Sequence, residues 1–547
     1  MKQMIEQFMQ KGFLIAPELA EKKGVDAKDV CTLIEQKIPN EKPTLINEDL
    51  YLVLTQTETM VNINWKEFER AKALLEKGND GKGYYLFLDL MEYNVSPEKK
   101  EIMDHVMDEV KTVHTETEEE IDEEVSTDSS VMVINAYKDE PRKRVLQDFV
   151  QHFKLRYETI KELLRSRPEM QDAISFVRLK TVEQRTQLSV IGVVSDRRIT
   201  KNGNLLLELE DPTGTVRVLI NQNREDLFAK GQRIVMDEVV GIKGTTGNEI
   251  VFANEIVFAD VPVSHELKKA EDEAYAVFTS DIHTGSKLFM QKQFESFVTW
   301  LNGESGNKEQ KQTALKVKYL FVVGDLIDGC GIYPTQFDEL SINDVVAQYT
   351  HIAELLGKLR KDLQIIIIGG NHDAMRLAEP QPMLDKNYAK AIYDLPNVTV
   401  TTNPSMVNIH ANRDFEGFNV LLYHGYSYTY FAENVDSLRQ QGGVARPENI
   451  MQFLMEKRHL APTHTSSLYI PDTRGDPMVI EKVPDIFASG HLHRVSSAQY
   501  KNVTLISSGC WQEQTDFMTK VGVEADPAKV VMVNLQTREV KYMNFLE

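Results

Sequence analysis

The sequence predicts a multidomain protein of mixed α+β and α/β class, with an N-terminal helical domain, a small β-barrel and a layered β-sandwich flanked by helices. A chain of 547 residues is too long for one hydrophobic core. The spacing of apolar residues changes from helical to alternating near Thr186, and changes again to short continuous runs from Tyr275. We place the helical domain, a linker, a connecting helix, the barrel and the sandwich at 1–90, 91–140, 141–180, 181–265 and 270–547.

The composition is typical of a soluble globular protein, with 42% hydrophobic and 27% charged residues and a mean hydropathy of −0.34. No apolar run approaches the roughly 18 residues that a membrane-spanning helix needs. The first residues also lack the basic and apolar segments of a signal peptide. We therefore expect a cytoplasmic protein.

The formal net charge is −21, from 62 Lys and Arg against 83 Asp and Glu. This balance argues against a generally basic surface that coats nucleic acid. The three cysteines, Cys31, Cys330 and Cys510, are far apart and form neither a disulfide framework nor a paired-thiolate zinc motif. Any metal site must therefore use other ligands.

The N-terminal region shows apolar residues at helical spacing in the segments MIEQFMQKGFLI, AKDVCTLIEQ and WKEFERAKALLEKG, which predicts a small helical domain. Between Glu116 and Asp128 there are eight acidic residues and no Lys or Arg. Because like charges repel and few apolar residues are available for burial, this run predicts a disordered linker within 91–140. An interaction tail is the alternative.

Residues 141–167, PRKRVLQDFVQHFKLRYETIKELLRSR, have the pattern of a basic amphipathic helix. We predict that its apolar face packs on the domain that follows. A surface that contacts phosphate groups is the alternative.

Alternating apolar residues between Thr186 and Phe258 predict five strands, in the segments QLSVIGVVSD, NLLLELED, TVRVLI, QRIVMDEVVGIKG and EIVFANEIVF. Five short strands with the turn Asp211-Pro212-Thr213-Gly214 resemble an OB-fold, a small barrel that often binds single strands. Few aromatic residues are available for base stacking here, so a barrel that docks on another protein is an equal alternative.

From Tyr275 onward, five continuously apolar runs predict buried strands, and polar residues follow each of them. The runs are AYAVFTS, KYLFVVG, LQIIIIGG, FNVLLY and PDIFASG. The polar residues that follow them are, in order, Asp281 and His283; Asp325 and Asp328; Asn371, His372 and Asp373; His424; and His491 and His493. Since ligands gather at the carboxyl ends of strands in layered sheets, we expect the five endings to converge on one rim.

The collected side chains are carboxylates, an amide and imidazoles, which suit Mn²⁺, Fe²⁺ or Zn²⁺ better than Ca²⁺. A carboxylate shared between two such ions supports the two-metal hydrolysis of phosphoesters. The order D-x-H, G-D-x-x-D, G-N-H-D, H-G, G-H-x-H, with every member after an apolar strand, is much more specific than any single motif in it.

This set resembles the calcineurin-like metallophosphoesterase superfamily, with every motif intact. The resemblance implies two divalent metal ions, Mn²⁺ first, with Mg²⁺, Fe²⁺ or Zn²⁺ as alternatives. It implies that Asp325 bridges the two ions and that His372, oriented by Asp373, protonates the leaving oxygen. The implied ligands of one ion are Asp281, His283, Asp325 and His493, and those of the other are Asp325, Asn371, His424 and His491. We expect Asp328 to orient a ligand rather than to bind metal.

The whole layout of helical region, acidic linker, barrel and phosphoesterase resembles the small, exonuclease subunits of archaeal family-D DNA polymerases. The segments RHLAPT (458–463) and SSGCWQEQTDFM (507–518) add to this resemblance. It implies a 3′→5′ proofreading exonuclease in DNA replication, a heterodimer with the large polymerase subunit and a DNA primer 3′ end as substrate. Contact with the sliding clamp is left open, as is the role of the helical domain.

Three alternatives remain at this point. His459 or His464 could replace His424 as a ligand, although only His424 follows an apolar strand and precedes a glycine. The protein could be a free-standing phosphomonoesterase or cyclic-nucleotide phosphodiesterase, which would need neither barrel nor linker. It could also be an inactive scaffold like the eukaryotic polymerase B-subunits, which have lost the ligands that are intact here.

Overall fold

The computed structural model describes residues 14–15, 27–37, 45–46, 131–334, 336–515, 518–519 and 522–546. The chain divides into two compact units, Met1–Ser126 and Thr127–Glu547. Among the described residues, no helix has both the length and the apolar character needed to cross a lipid bilayer.

In the first unit, helix α1 (Ala27–Lys37) confirms the helix predicted from AKDVCTLIEQ. Leu14–Ile15 (β1) and Leu45–Ile46 (β2) instead form a short parallel pair, where helical spacing predicted a helix ending near Ile15. Strand pairing competes with helix here because Leu and Ile side chains fit a pleated pair as well as a helix. The helix predicted from WKEFERAKALLEKG and the acidic run lie outside the described residues.

The described residues of the second unit form seventeen strands. They are β3 (Val131–Ala136), β4 (Gln187–Ile199), β5 (Leu205–Asp211), β6 (Gly214–Ile220), β7 (Val239–Thr246), β8 (Ile250–Val257), β9 (Tyr275–Thr279), β10 (Val317–Val323), β11 (Gln364–Ile368), β12 (Val398–Val400), β13 (Ser405–Ile409), β14 (Phe418–Leu422), β15 (Ile486–Ser489), β16 (Ser496–Tyr500), β17 (Val503–Ser507), β18 (Lys529–Asn534) and β19 (Val540–Asn544). All five apolar runs predicted from the sequence after Tyr275 are strands.

The α-helices of this unit lie mostly between strands. They are α2 (Leu146–Arg165), α3 (Phe176–Leu179), α4 (Glu225–Gln232), α5 (Gln291–Leu301), α6 (Lys308–Leu315), α7 (Val345–Leu356), α8 (Lys386–Tyr393), α9 (Tyr428–Asn434), α10 (Asp436–Gln440) and α11 (Pro447–Lys457). Short 3₁₀ turns are formed by Pro168–Met170, Gln336–Glu339, Gly443–Ala445 and His464–Ser466.

Two six-stranded sheets make up the sandwich, in the orders β12-β11-β10-β9-β18-β19 and β16-β17-β15-β14-β13-β3. Strands β9 to β12 pair in parallel in the first sheet, and β14, β15 and β17 pair in parallel in the second. One core contains residues of both sheets, including Phe278, Phe321, Val420 and Ile486, all fully buried. Helices cover the outer faces, so these strands are buried on both sides and are continuously apolar.

Strand β3 was not predicted from the sequence. Residues 131–136 fall in the predicted linker, yet they pair antiparallel with β13 at the edge of the second sheet. The predicted disorder of 91–140 is therefore wrong for these six residues. Their sequence, VMVINA, is rich in β-branched and apolar residues, unlike the acidic run before it.

The five strands β4 to β8 close into a barrel in the order β4-β5-β6-β8-β7, as the alternating pattern predicts. Its interior is filled by side chains such as Val194, Leu207, Val218 and Ile242, all fully buried. Helix α4 connects β6 to β7, and the fourth predicted segment, QRIVMDEVVGIKG, forms a strand only from Val239 onward. The barrel is therefore a packed core and not a ligand cavity.

Helix α2 confirms the amphipathic helix predicted near residues 141–167, and its apolar face packs on the barrel, as expected. An ionic contact also connects the helix to the sandwich part of the second unit. Arg156 is 5% exposed and its Nε donates a hydrogen bond to the buried carboxylate of Asp476. Burial raises the pKa of Asp476, but Arg156 and His459 outweigh it and hold that pKa well below its usual range.

The end of helix α11 attaches the sandwich to the barrel. Lys457 Nζ lies 3.0 Å from Glu238 Oε2, with both side chains at least 97% buried, and also lies over the ring of Phe258. Arg233 of the barrel forms a second ion pair with Glu456, at 2.8 Å. Buried charges this close depend on each other, because each would otherwise be desolvated without a partner.

We expect Glu238→Ala to lower the free energy of unfolding by about 3–5 kcal/mol, because it leaves the Lys457 ammonium buried and unpaired. The double variant Glu238→Leu/Lys457→Met removes both charges and should recover most of that loss. Urea unfolding of the full chain measures both. Equal stability of wild type and Glu238→Ala would show that the pair contributes nothing to the attachment.

Candidate metal centre

The polar residues that follow the five apolar strands come together, but from two sheets rather than from one rim. Those after β9, β10 and β11 belong to the first sheet, and those after β14 and β15 belong to the second. The sequence pattern predicts buried strands but does not say to which sheet each belongs. The facing sheets bring their strand ends to one place, so the predicted convergence holds across the sandwich.

One group of side chains gathers around Asp281, His283 and His493, whose ligand atoms lie within 4.8 Å of one another. His283 Nε2 is 3.1 Å from His493 Nε2, and His493 Nε2 is 3.4 Å from Asp281 Oδ1. These residues are between 0% and 7% exposed. They form the first ligand set.

A second group gathers around Asp325. His424 Nε2 lies 3.3 Å from Asp325 Oδ2 and 3.1 Å from Asn371 Oδ1. The ring of His491 lies 5.2 Å from that of His424, centroid to centroid, although His491 shares no compact group of three ligand atoms with the other His and Asp residues described. These four residues are the predicted ligands of the second ion, and we call them the second ligand set.

Asp325 belongs to both groups. Its Oδ2 faces His424 at 3.3 Å and His283 at 3.9 Å, so one carboxylate lies between imidazoles of the two sets. Its Oδ1 accepts a hydrogen bond from the backbone N–H of His372 at 2.8 Å. This position is compatible with a carboxylate shared between two metal ions.

The backbone of these loops is strained. Asp281, His283, Asp325, His491 and His493 all have φ between 50° and 70°, the left-handed region that residues other than glycine rarely adopt. Such conformations cost about 1–3 kcal/mol each and cluster at functional sites. The D-x-H and H-x-H motifs therefore place their side chains inward by means of unusual backbone angles. No sequence pattern reveals these angles.

Glycines allow the two sets to approach closely. A Cβ atom on Gly324 would lie 2.3 Å from His424 Nδ1, and one on Gly370 would lie 2.3 Å from Asp325 Oδ1. Both distances are far below van der Waals contact. The glycines of the G-D and G-N-H-D motifs are thus required for packing as well as for turning the chain.

The charges of the site perturb one another strongly. Burial raises the pKa of Asp325, but His424 and His372 outweigh it and hold that pKa well below its usual range. Burial lowers the pKa of His424, yet the carboxylate of Asp325 raises it to about 10. Burial, together with His424, lowers the pKa of His491 to about 3. Clustered perturbations of this kind are characteristic of functional sites.

Asp328 contacts a ligand rather than the centre of the site. Its Oδ1 lies 3.1 Å from His283 Nδ1, and its carboxylate accepts hydrogen bonds from the side-chain amides of Gln336 and Gln512, at 3.0 and 3.2 Å. A carboxylate in this place sets the tautomer and the orientation of the imidazole. Gln336 and Gln512 are missed by sequence reasoning, because they lie in loops without periodicity.

His372 has its ring orientation fixed by a backbone contact. It is half-buried, its ring packs edge-on against His283 at 4.7 Å between centroids, and its Nδ1 lies 2.9 Å from the carbonyl oxygen of Asp328. Since a carbonyl only accepts, Nδ1 carries a hydrogen and Nε2 is left for other contacts. The ring orientation therefore comes from the Asp328 backbone.

Asp373 is not hydrogen-bonded to the His372 ring, contrary to the expectation that it orients this imidazole. Its Oδ2 accepts from the backbone N–H of Gly370 at 2.9 Å and of Leu326 at 3.3 Å, and its Oδ1 accepts from Tyr349. Asp373 thus ties together the loops that follow β10 and β11. Burial and the charge of Asp325 raise its pKa to about 7.

The structure places the other candidate histidines elsewhere. His459 is 1% exposed, its Nε2 lies 2.9 Å from Asp476, and its Nδ1 accepts from the backbone N–H of Ala461. His464 is exposed and contacts the hydroxyl of Tyr469 at 3.0 Å. Neither lies with the first or second ligand set, whereas His424 does.

The donor set fits divalent transition-metal ions. The predicted donors are two buried aspartates, an asparagine oxygen and four imidazoles, and such mixed oxygen and nitrogen donors suit Mn²⁺, Fe²⁺ or Zn²⁺. The compact groups of three possible ligand atoms include both aspartates and three of these histidines, and also His372. Burying two charged aspartates away from water costs folding free energy unless cations offset their charge. The residues present therefore fit the metal ions that the sequence motifs imply.

Comparison with known proteins agrees with this geometry. The family model described as calcineurin-like phosphoesterase matches residues 275–495, which contain all the residues of both ligand sets. This part of the chain is therefore a metallophosphoesterase domain, and such domains use divalent metal ions.

Relatives match over most of the chain. A DNA polymerase II small subunit of Methanothermobacter thermautotrophicus is 39% identical over 71% of this chain and 77% of its own length. One of Archaeoglobus fulgidus is 35% identical over 71% and 75%, and one of Pyrococcus abyssi is 37% identical over 73% and 63%. With this identity over more than two thirds of the chain, the chain belongs to the family of archaeal DNA polymerase II small subunits.

Proposed function

We propose that this chain is the 3′→5′ proofreading exonuclease subunit of an archaeal DNA polymerase, with two Mn²⁺ ions as its cofactor. The observation that carries this proposal is the buried carboxylate of Asp325, which lies between imidazoles of both ligand sets. An inactive scaffold would have no reason to keep two complete sets, with five of their residues in strained backbone conformations.

The proposed ligands are the two sets described above, with Asp325 common to both. Divalent ions bound by these residues would supply Lewis-acid activation of a phosphodiester and of the attacking water. The side chains themselves have two tasks: Asp328 holds the His283 ring through Nδ1, and Asp373 holds the loops of Gly370 and Leu326 in register. Both are positioning residues.

His372 is proposed as the general acid. Its Nδ1 donates to the carbonyl of Asp328, so the proton it can deliver is on Nε2. In removal of a 3′-terminal nucleotide, the leaving group is the 3′ oxygen of the nucleotide before it, and this oxygen needs a proton. His372 is half-buried rather than buried, so its ring is open to a DNA strand that enters the site.

The proposed partner is the large polymerase subunit, because the relatives are small subunits by name. A chain with a net charge of −21 lacks the phosphate neutralisation from which nonspecific DNA affinity mainly comes. We propose that the large subunit delivers the primer 3′ end. The barrel, attached through Glu238 and Lys457, is then a candidate OB-fold for docking that subunit.

A free-standing phosphomonoesterase or cyclic-nucleotide phosphodiesterase is the second candidate. Its active site would hydrolyse small phosphoesters without any partner. The family membership favours the polymerase subunit, and substrate preference distinguishes the two.

The test compares 3′-mismatched DNA with bis-p-nitrophenyl phosphate, with Mn²⁺ at about 0.15 M salt. Adding the large subunit should raise DNA cleavage markedly and leave hydrolysis of the small diester unchanged, because the metal centre lies wholly within this chain and only DNA binding is missing. Equal DNA cleavage with and without the large subunit would contradict the proposal, and so would cleavage of the small diester alone.

Asp325→Asn should slow both DNA cleavage and hydrolysis of bis-p-nitrophenyl phosphate. The loss should exceed the roughly 10–100-fold that follows removal of a residue that only orients a ligand. The amide removes a charge that both sets share. Asp272→Asn is a matched control, since Asp272 also pairs with a histidine, His410 at 2.7 Å, away from the centre. A loss of less than about tenfold in Asp325→Asn would contradict the bridging role.

His372→Ala should lower kcat on DNA by about 10²–10⁴, the range for loss of a general acid or base. It should leave bound Mn²⁺ unchanged, as elemental analysis can show, whereas His491→Ala should lose metal. The reaction of bis-p-nitrophenyl phosphate should be affected less, because p-nitrophenolate leaves without a proton. Equal metal loss in both variants would assign His372 to the ligands instead.

A further inference from the structure

Two buried amides, Gln381 and Asn403, lie between the loops that carry the second ligand set. They are 2% and 1% exposed. Asn403 Nδ2 donates to Gln381 Oε1 at 2.7 Å, and the two backbones exchange hydrogen bonds at 2.7 and 3.1 Å. Three hydrogen bonds thus join two residues that are 22 positions apart in the sequence.

The pair is connected at both ends to residues of the metal centre. Gln381 Nε2 donates to the carbonyl oxygen of Gly370 at 3.2 Å, and Gly370 directly precedes Asn371. Asn403 Oδ1 accepts from the backbone N–H of His424 at 2.9 Å. A continuous chain of hydrogen bonds therefore runs from Gly370 through Gln381 and Asn403 to His424.

This chain spans the two sheets. Gly370 follows β11 in the first sheet, and His424 follows β14 in the second. Asn371 Oδ1 and His424 Nε2 lie only 3.1 Å apart, so two ligands from different sheets must keep a small separation. Hydrogen bonds in a buried, low-dielectric setting resist the sliding of one sheet on the other, because each broken bond leaves a polar group without water.

Neither amide contacts a ligand atom, and neither ionises. They act only through the backbone of Gly370 and His424, which distinguishes them from ligands and from acids or bases. The hydrogen bonds fix which side-chain atom of each amide is oxygen and which is nitrogen. Gln381 donates to carbonyls and accepts from Asn403, and Asn403 accepts from the backbone N–H of His424.

We propose that Gln381 and Asn403 are positioning residues that set the separation of Asn371 and His424, and thereby the affinity of the second ligand set for its metal ion. The inference rests on the proposed function only insofar as this set binds a divalent ion. It does not depend on which phosphodiester is cleaved or on the polymerase partner.

A matched control exists in the same sheet. Asn408, on β13, is 6% exposed and donates through Nδ2 to Asn419 Oδ1 and to the carbonyl oxygen of Glu416, both at 3.0 Å. It is a buried asparagine with similar hydrogen bonds and no contact with either ligand set. Loss of this side chain should therefore affect stability alone.

The experiment is a calorimetric Mn²⁺ titration of the full-length chain. Asn403→Ala should weaken one of two binding events by about 10–100-fold and leave the other within about twofold, as expected for loss of a residue that orients a ligand. Gln381→Met should weaken the same event, and the double variant should be no weaker than the weaker single variant, because both break one chain of bonds. Asn408→Ala should bind both ions as wild type does.

A folded Asn403→Ala protein that binds two Mn²⁺ ions with wild-type affinity would overturn the inference, and so would an equal loss of affinity in Asn408→Ala. Circular dichroism checks the fold. If Asn403→Ala does not fold, Gln381→Met alone decides in the same titration. A wild type that binds two ions but cleaves no DNA would instead refute the exonuclease proposal and leave this inference standing.

Discussion

The structure of the metal centre depends on one constraint: two aspartate carboxylates, Asp281 and Asp325, are buried at 0% and 2% exposure where two sheets meet. Desolvated carboxylates need opposite charge or hydrogen-bond donors close by. Histidines from both sheets surround them, and the N–H groups of His372 and His491 point at their oxygens. Divalent cations would complete this compensation, and the strained loops hold the candidate donors close together.

Residues outside the ligand sets hold the ligands in position on both sides of the metal centre. Asp328, with Gln336 and Gln512, orients the His283 side, while Gln381 and Asn403 connect the loops on the His424 side. Outer partners of this kind affect metal affinity nearly as strongly as some ligands do. The barrel and helix α2 are attached to this part of the chain through buried ion pairs.

Much of this could be predicted from the sequence. Continuous apolar runs identify strands buried on both faces, and the polar residues after them identify the candidate ligands, since a strand end is where such residues can be gathered. Strict alternation identifies the barrel. Sequence reasoning could not assign β14 and β15 to a second sheet, because local pattern contains no information about strand order. Nor could it find Gln381 or Asn403, whose role comes only from contacts between distant loops.

The strained backbone angles could not be predicted from the sequence either, since the surrounding fold holds these Asp and His residues at positive φ. The contact of His372 with the Asp328 carbonyl, in place of Asp373, is a further tertiary effect. The most direct test of the account is a crystal of the chain grown with Mn²⁺ and measured at the manganese absorption edge. We expect two anomalous peaks about 3.5–4 Å apart on either side of Asp325. A single peak, or peaks away from Asp325, would contradict the two-ion centre.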